Sequence, residues 1–220
     1  NMKIAYQGIE GSYSESCAKE MHPDCKTIPC KTFDDVFKKA NEDEEIRAII
    51  PESNRTTGNI GVEYLIFKYR LNIHKEKFYP INHHLLALPG SKIKDIKNVY
   101  SHAQGLSQCS NFIKKNDFLE NVRADTAGSA KYISENKIMS EAAIASKESA
   151  KIYNLDILEP DIQDEEDNVT RFLLMGKSIV QPELKKEKYI TSFLFKLKSK
   201  PAALYSALSG FAIQGVNLTK

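Results

Sequence analysis

Four polar loops carry the side chains in this sequence that are best suited to binding or chemistry. Each lies at an end of a predicted strand: Glu52–Gly58 (ESNRTTG), Tyr100–Gly105 (YSHAQG), Ala124–Gly128 (ADTAG) and Asp167–Arg171 (DNVTR). They offer hydroxyl, amide, imidazole and guanidinium groups, which bind anions and hydroxyl groups by hydrogen bonding. Because ligands of open α/β sheets bind at the carboxyl ends of strands, we expect these loops to meet at one site.

The histidine, cysteine and glycine patterns do not indicate a metal or phosphate site. His83 and His84 are neighbours on a predicted strand, so they point to opposite faces and both are expected to be structural. The four cysteines form no CxxC pair and are expected to be free thiols in a reducing compartment. Gly8 and Gly11 match only a fragment of a phosphate-binding loop.

The composition is that of an ordinary globular protein. Its 220 residues carry 31 Lys plus Arg against 29 Asp plus Glu, a net charge of +2 with neither sign concentrated in a tail. This balance argues against a nucleic-acid-binding or membrane-surface protein. No apolar run approaches the roughly 18 to 20 residues of a membrane span, and the first residues lack the apolar region of a signal peptide. We expect a cytoplasmic protein with neither a membrane nor a nucleic-acid partner.

Short apolar strands alternate with amphipathic helices, which is the pattern of an α/β protein. The predicted strands are Lys3–Gly8, Lys26–Cys30, Arg47–Ser53 (ended by Pro51), INHHLLALPG, NVYS, Ala142–Ala145 and TRFLLMG. The predicted helices include one capped by Ser12 or Ser14, one capped by Thr32, one at Gly61–Tyr69, one capped by Thr126 and one ending near Asn154. Two blocks of strand, loop and helix predict two lobes with a cleft between them.

A separate unit follows the linker KSIVQPELKKEK. ITSFLFKL is predicted to be a strand, PAALYSALSGFAIQG a helix with Pro201 in its first turn and Gly215 past its end, and VNLTK the start of another strand. About 30 residues cannot bury a core of their own. We therefore expect this unit to pack on the first domain, pair with another chain or form the front half of a longer domain.

Seven motifs in this order and spacing resemble the prephenate dehydratase family, which includes the arogenate dehydratases of plants. They are AYQGIEGSYSE, PESNRTTGNI, INHHLLALPG, YSHAQGLSQC, ADTAGSAKYI, AAIASKESAKIYNL and DNVTRFLLMG. The tail resembles the first half of the ACT regulatory domain of this family. The resemblance implies an α/β catalytic domain of the two-lobed, periplasmic-binding-protein-like type II fold at 2–178, with lobe 1 at about 2–77 plus 160–178 and lobe 2 at about 78–159. It also implies a linker at 179–189 and a partial, ferredoxin-like ACT unit at 190–220.

The resemblance implies decarboxylative dehydration of prephenate to phenylpyruvate, in phenylalanine biosynthesis. The ring becomes aromatic when its hydroxyl and a carboxylate leave together, so no metal or redox cofactor is expected. The enzyme must hold a dianion, hydrogen-bond the leaving hydroxyl and desolvate the departing carboxylate. Arogenate differs from prephenate by an ammonium in place of a keto group. The loop at Gly128 and Ser129 is expected to read this difference, with prephenate as the default substrate.

The resemblance assigns Thr170 to the leaving hydroxyl. A free threonine is a poor acid, so Thr170 is expected to position and hydrogen-bond rather than to donate a proton outright. A local cap or pair is the alternative. Arg171 is expected either to clamp a substrate carboxylate or to form a salt bridge between the lobes. Phe172 is expected in the core.

The resemblance implies substrate contacts from Asn54, Ser101, His102 and Gln104. Asn54 keeps the family's asparagine, and an Asx-turn is its alternative role. The other three match a Ser-His-Pro-Gln run in which Ala103 replaces the proline. Gln104 is expected to contact the hydroxyl or a carboxylate, and His102 to be a structural hydrogen-bonding group more than a base.

Thr126 and Ala127 match the family's Ser/Thr-Ala pair. Free N–H groups at the start of a helix there would receive a substrate carboxylate well. The alternative is a plain N-cap at Thr126, which needs the same residue type.

The sequence departs from the family at its Glu-Asn-Ser motif, which here reads Ser53-Asn54-Arg55. The usual carboxylate is missing, and Glu52 is expected to point to the other face of its strand. Arg55 would favour a dianion or fill part of the site. Three alternatives therefore stand beside prephenate dehydratase: an arogenate dehydratase, a decarboxylase that does not aromatise its product, and a catalytically silent sensor of an aromatic ligand.

In the tail, Ala202, Ala203 and Leu204 match the Gly-Ala-Leu stretch of the family's phenylalanine site, with Ala202 replacing the glycine. The family's Glu-Ser-Arg-Pro partner motif does not occur in the sequence, so L-phenylalanine is expected to be a weak effector or none. Exposed apolar side chains on this unit need cover, which predicts a homodimer or homotetramer.

Overall fold

Two β-sheets form the framework of the fold. The computed structural model describes residues 1–181 and 189–218, and the chain divides into one unit at Asn1–Glu183 and a second at Leu184–Lys220. Both sheets lie in the first unit. Residues 182–188 of the predicted linker and the last two residues of the predicted VNLTK strand lie outside the described residues.

The first sheet combines the N-terminal part of the chain with one late strand. Its order is β2 (Lys26–Cys30), β1 (Lys3–Gln7), β3 (Ile46–Asn54), β11 (Val169–Gly176) and β5 (Asn72–Pro80), and the short β4 (Gly58–Asn59) also pairs with β3. β1 is parallel to β2 and β3, whereas β11 is antiparallel to β3 and β5. The insertion of β11 brings Thr170 opposite Asn54, from which 116 residues separate it.

The second sheet is formed by the middle of the chain. Its order is β10 (Asp156–Glu159), β6 (His84–Ala87), β9 (Glu141–Ala145), β7 (Asn98–Ser101) and β8 (Leu119–Val122). β6 and β9 are buried at every position, which fits their continuous apolar character. The chain passes from the first sheet to the second between Pro80 and His84 and returns before β11.

Helices connect the strands of each sheet. α1 (Tyr13–Met21), α2 (Phe33–Glu42) and α3 (Glu63–Tyr69) accompany the first sheet, and together they form the first lobe. The second lobe is the second sheet with α4 (Ala103–Gln108), α5 (Ser110–Lys115), α6 (Thr126–Asn136), α7 (Lys147–Ile152) and a short 3-10 turn at Ile93–Asp95. None of the described helices has the length and apolar character needed to span a membrane.

Local sequence accounts for where the helices begin. The predicted cap Thr32 is confirmed: its side chain accepts from the Asp35 amide at 3.1 Å, and the Asp35 carboxylate accepts from the Thr32 amide in return. Ser12 caps α1, as predicted. The expected cap of α6 is wrong by one residue, because the carboxylate of Asp125 accepts the amide hydrogen of Gly128 and Thr126 is already the first helical residue.

The strand predictions differ from the structure in two respects. β3 continues through Pro51 to Asn54, and its register against β11 shifts between Arg171 and Phe172. Proline lacks the N–H that a regular ladder requires, and it is tolerated at a bulge because the ladder is interrupted there. The sequence pattern also missed β5, β8 and β10, which all lie at sheet edges and lack a continuous buried face.

The second unit is described at residues 189–218. Its helix α8 (Ala203–Ile213) ends before Gly215, whose φ is +68°, as predicted. The helix begins only at Ala203, so the prediction that Pro201 lies in its first turn is wrong. The rings of Phe193 and Phe211 stack with centroids 5.3 Å apart. The predicted ITSFLFKL strand is absent from the described residues, because a strand needs a hydrogen-bonded neighbour and the described part of this unit contains none.

Candidate active site

A cavity of about 530 Å³ lies between the two lobes of the first unit. It is lined by the end of β3, the start of β11 and the first residues of five helices: Tyr13 of α1, Phe33 of α2, Tyr64 of α3, Gln104 of α4 and Thr126 of α6. Helix N-termini present backbone N–H groups without intrahelical acceptors. The cavity is therefore well supplied with hydrogen-bond donors for an anion, and the predicted meeting of the polar loops is observed.

Thr170 and Asn54 face this cavity from adjacent strands of the first lobe. Both are almost completely buried, and Asn54 Nδ2 donates to the Thr170 hydroxyl oxygen at 2.9 Å. Asn54 Oδ1 accepts the amide hydrogens of Thr56 and Thr57 at 2.9 and 3.1 Å, which fixes the orientation of the amide. Within the described chain, the Thr170 hydroxyl has no protein acceptor, so its hydrogen is free for a ligand in the cavity.

Asn54 uses its whole amide on the protein. Its oxygen forms the Asx-turn that the sequence offered as the alternative, and its Nδ2 group donates both to Thr170 and to Asn168 Oδ1, at 2.8 Å. No donor or acceptor of the side chain is left over for a substrate. The geometry therefore makes Asn54 the residue that orients Thr170, in place of the direct substrate contact expected from the resemblance.

A chain of buried amides continues from Asn54 into the second lobe. Asn168 Oδ1 accepts from Asn54, so its Nδ2 donates to Gln108 Oε1, at 3.0 Å. The same Gln108 oxygen lies 2.7 Å from His83 Nε2, which must therefore carry the hydrogen. His83 Nδ1 then faces the hydroxyl of Tyr13 at 2.8 Å as an acceptor. Each orientation follows from the previous one, so the network fixes the tautomer of His83.

His83 is a neutral, structural side chain in this network. Burial lowers the pKa of His83 to about 4, because the charged imidazolium would lose its hydration. The neighbouring His84 accepts the amide hydrogen of Asp161 at its Nδ1, at 3.1 Å. The expectation that both histidines are structural agrees with these partners.

Gln108 is a site residue that the sequence reasoning missed. Its Nε2 is buried without a hydrogen-bond partner among the described residues, although the side chain lines the cavity and is only 7% exposed. An unpartnered buried amide is costly, so this group points to a ligand acceptor. The sequence spacing could have identified it, because Gln104 and Gln108 are four residues apart on α4 and therefore lie on one helix face.

The other expected residues of α4 and its loop have different positions. Gln104 lines the cavity, and its Nε2 donates to the Thr57 hydroxyl across the lobes at 2.7 Å. His102 also lines it and caps α4 through Nδ1, which accepts from the Gln104 amide at 3.2 Å. Ser101 is fully buried and donates to the carbonyl of Ile144 at 2.7 Å, so it joins β7 to β9 and does not line the cavity.

At α6, Thr126 lines the cavity but Ala127 does not. The Ala127 side chain is fully buried in the second lobe. Asp125 lines the cavity beside Thr126 and carries the carboxylate that caps the helix. The start of α6 therefore presents backbone N–H groups next to a negative charge. The resemblance predicted the N–H groups but not the charge.

Arg171 does not contact the cavity. Side chains alternate along β11, so Thr170 and Phe172 line the cavity and Arg171 points to the other face. There it contacts Glu76 at 2.7 Å and Glu52 at 3.1 Å. The predicted salt bridge is present within the first lobe rather than between lobes, and the guanidinium is already paired, so a carboxylate clamp is not formed by this residue.

The departures at Ser53 and Arg55 also lie away from the cavity lining. Ser53 is the cross-strand partner of Arg171, and its hydroxyl donates to Glu52. Arg55 forms an exposed ion pair with Asp167, so it neither fills the site nor adds charge to its wall. A carboxylate at position 53 would therefore not face the substrate side of the strand.

The charged residues of the cavity wall are acidic. Among the described residues that line it, Asp34 and Asp125 are charged, and none is a lysine or arginine. Asp34 is neutralised by Lys68, whose ammonium lies 2.6 Å away and lowers the pKa of that carboxyl, with Tyr69 as a second donor at 2.8 Å. An anionic ligand must therefore be held by amides, hydroxyls and backbone N–H groups.

Known proteins resemble this chain over its whole length. It is 41% identical to arogenate dehydratase 2 of Petunia hybrida and 40% identical to arogenate dehydratase/prephenate dehydratase 2, chloroplastic, of Arabidopsis thaliana, covering all of this chain and 56% and 58% of those proteins. The structure of a prephenate dehydratase from Arthrobacter aurescens in complex with L-Phe superimposes with a TM-score of 0.85 at 25% identity, covering all of this chain and 75% of that one. The model of the prephenate dehydratase family matches residues 4–179. This chain belongs to the prephenate dehydratase family.

Proposed function

We propose that this chain catalyses the decarboxylative dehydration of a cyclohexadienyl acid, either prephenate or its amino counterpart arogenate. The chain spans just over half the length of the curated relatives that it matches. Support comes from the family membership and from the cavity that holds Thr170. The observation that carries the proposal is the hydrogen bond from Asn54 Nδ2 to Thr170 Oγ1, which leaves the threonine hydrogen free to bind a leaving hydroxyl.

The chemistry requires little from the protein beyond positioning and hydrogen bonding. The ring carbon that bears the carboxylate loses CO₂, and the electron pair of that bond completes the aromatic ring. The opposite carbon loses its hydroxyl, which leaves as water once it has gained a proton. Thr170 hydrogen-bonds this departing oxygen and stabilises the charge that develops on it. Because threonine is a poor acid and the ionised substrate has no proton to spare, the proton itself comes from solvent.

The remaining cavity groups suit the other end of the substrate. Gln108 Nε2 is a buried donor without a protein partner among the described residues, and Gln104 lies on the same helix face. Apolar side chains of Ile60, Ile81 and Phe172 line the wall. Apolar surroundings disfavour a carboxylate relative to neutral CO₂, so they favour its departure.

The silent-sensor alternative rested on the missing carboxylate at position 53. Ser53 does not line the cavity, so its replacement removes no group from the site. This weakens the argument for lost activity. The non-aromatising decarboxylase is weakened by the free hydrogen of Thr170, which serves departure of a hydroxyl rather than its retention.

Product identity tests the proposal. The purified chain is incubated separately with prephenate and with L-arogenate near neutral pH, and the products are separated by mass spectrometry against samples without enzyme. We expect loss of both CO₂ and water, which gives phenylpyruvate or L-phenylalanine. Loss of CO₂ with the hydroxyl retained would identify a decarboxylase. A ligand-induced melting shift without any product would identify a sensor, and either result would contradict the proposal.

Finer assignments extend the proposal beyond the first unit. The reaction breaks a C–O bond without hydrolysis, so the enzyme is a carbon–oxygen lyase. We assign residues 2–178 to catalysis and 190–220 to a partial ACT unit, in which Ala202, Ala203 and Leu204 form part of a phenylalanine site and L-phenylalanine is a weak effector or none. The similar Arthrobacter protein, solved with L-Phe, supports phenylalanine as the ligand of such a site. A homodimer or homotetramer and a cytoplasmic location stay predictions, and one relative is named as chloroplastic.

A further inference from the structure

We propose that the carboxylate of Asp125 binds the side-chain ammonium of an α-amino acid substrate, so that the cavity selects arogenate over prephenate. This inference rests on the proposed function and names its substrate. It assigns recognition of the amino group to Asp125 at the start of α6, whereas the sequence analysis expected this role for the loop at Gly128 and Ser129.

The geometry at the start of α6 matches an amino acid. Asp125 Oδ1 accepts the amide hydrogen of Gly128, whereas its Oδ2 has no protein donor among the residues described by the structure. The first intrahelical bond runs from the Ser129 amide to the Asp125 carbonyl, so the amide of Thr126, which lines the cavity, has no intrahelical acceptor. This N–H group suits a carboxylate, and the adjacent Oδ2 suits an ammonium.

A keto acid fits this position less well. Its side-chain carboxylate would approach the same Thr126 N–H beside the negative charge of Asp125, and no lysine or arginine is present among the described lining residues to offset that charge. The amino acid form brings its own cation to Asp125. Charge complementarity of this kind discriminates between partners chiefly by penalising the wrong one.

Asp34, the other acidic residue of the wall, does not offer the same site. Its Oδ1 lies 2.6 Å from the Lys68 ammonium and its Oδ2 accepts from the Tyr69 hydroxyl, so both oxygens are already occupied. Of the two described carboxylates that line the cavity, Asp125 is thus the one with an oxygen that has no protein donor.

The positions of Thr170 and Asp125 match the two ends of the substrate. The leaving hydroxyl and the side chain are attached to opposite carbons of the ring. Thr170 belongs to the first lobe and Asp125 to the second, and both line the same cavity. The unpartnered Nε2 of Gln108, judged against the described residues, is an independent sign that the side chains lining this cavity are arranged for a polar ligand.

The test compares the two substrates in variants that keep the helix cap. Asp125→Asn and Asp125→Ser both retain an N-cap acceptor while removing the charge. We expect the ratio of kcat/KM for arogenate to kcat/KM for prephenate to exceed one in the unaltered chain and to fall by about tenfold or more in both variants. Asp34→Asn removes a formal charge from the same wall and is the matched control. A ratio that is unchanged in the Asp125 variants, or that falls equally in Asp34→Asn, would overturn the assignment.

A binding measurement separates failure of this inference from failure of the proposed function. Calorimetry on the Thr170→Ala chain, alone and combined with Asp125→Asn, measures affinity for each substrate without turnover. We expect arogenate to bind more tightly than prephenate and to lose that advantage with Asp125→Asn. If the unaltered chain converts neither substrate, the proposed function fails, and this comparison still decides the role of Asp125. Equal affinities in the Thr170→Ala chain would contradict it.

Discussion

At the scale of single residues, the site depends on an amide whose orientation is fixed by the backbone. The Thr56 and Thr57 amides determine which way Asn54 points, and Asn54 then donates to the Thr170 oxygen, which leaves the Thr170 hydrogen for the substrate. The resemblance to the prephenate dehydratase family identified both residues. It could not reveal that one orients the other, because the role of Asn54 depends on which of its side-chain atoms already have hydrogen-bond partners in the fold.

Replacing Asn54 by aspartate is expected to lower kcat by about 100-fold. The aspartate would keep an oxygen for the Thr56 and Thr57 amides, but its second oxygen would face Thr170 and accept the hydrogen that the substrate needs. Steady-state kinetics measure the change. Asn59→Asp is the control, since Asn59 also accepts a backbone amide in this loop but does not line the cavity. Equal losses in the two variants would contradict the assigned role.

His83 is expected to make stability depend on pH. Its native pKa is about 4, below the value of about 6.5 in an unfolded chain. Between these values the unfolded state binds a proton that the native state excludes, so stability is lost as the pH falls from about 6.5 to 4, by about 3 kcal/mol in total. Urea unfolding at pH 7.5 and 4.5 tests this in the unaltered chain and in His83→Gln. The same pH dependence in both would rule out His83 as its source.

At the scale of elements, the site depends on contacts that sequence periodicity does not encode. α2 was predictable, because Val36, Phe37 and Ala40 repeat at helical spacing and are fully buried. β5 was not, because this edge strand reads NIHKEKFYP without a consistent apolar face. The insertion of β11 between β3 and β5 is a long-range pairing, and it is the step that places Thr170 beside Asn54.

Gly11→Ala is expected to destabilise the protein more than Gly61→Ala, by about 2 kcal/mol. Both glycines have positive φ, +95° and +84°, so both variants incur backbone strain. A Cβ on Gly11 would lie 2.7 Å from Ser149 Oγ and 3.2 Å from its Cα, whereas one on Gly61 would meet nothing within 4 Å. The Ser146 and Ser149 hydroxyls also donate to the Gly11 carbonyl, which links the two lobes. Thermal unfolding measures the difference, and equal melting temperatures would contradict this account of the lobe contact.

At the scale of the whole molecule, the described residues of the cavity and those of the second unit occupy separate parts of the sequence. Every described residue that lines the cavity lies between Gln7 and Phe172, within the first unit. Two lobes and a cleft were predictable from the alternation of strands and helices. The acidic wall was not, because the sequence pattern placed the cap of α6 at Thr126, and the exposure of Asp125 to the cavity depends on how the lobes meet.

A chain that ends at residue 181 is therefore expected to fold and to retain kcat/KM within about threefold of the full chain. Thermal unfolding and steady-state kinetics on both forms test this expectation. If the shorter chain does not fold, the second unit contributes to the stability of the first. If it folds but is inactive, residues beyond 181 complete the site, and the assignment of catalysis to residues 2–178 is wrong.

The central claim is that the Thr170 hydroxyl hydrogen-bonds the departing hydroxyl of the substrate. The most direct test is the rate of aromatic product formation, under saturating substrate, by Thr170→Ser and Thr170→Ala beside the unaltered chain. Serine keeps the hydroxyl, so we expect its rate to stay within about tenfold, whereas alanine should reduce the rate by about 100-fold or more. A Thr170→Ala chain that forms product as fast as the unaltered chain would contradict the claim.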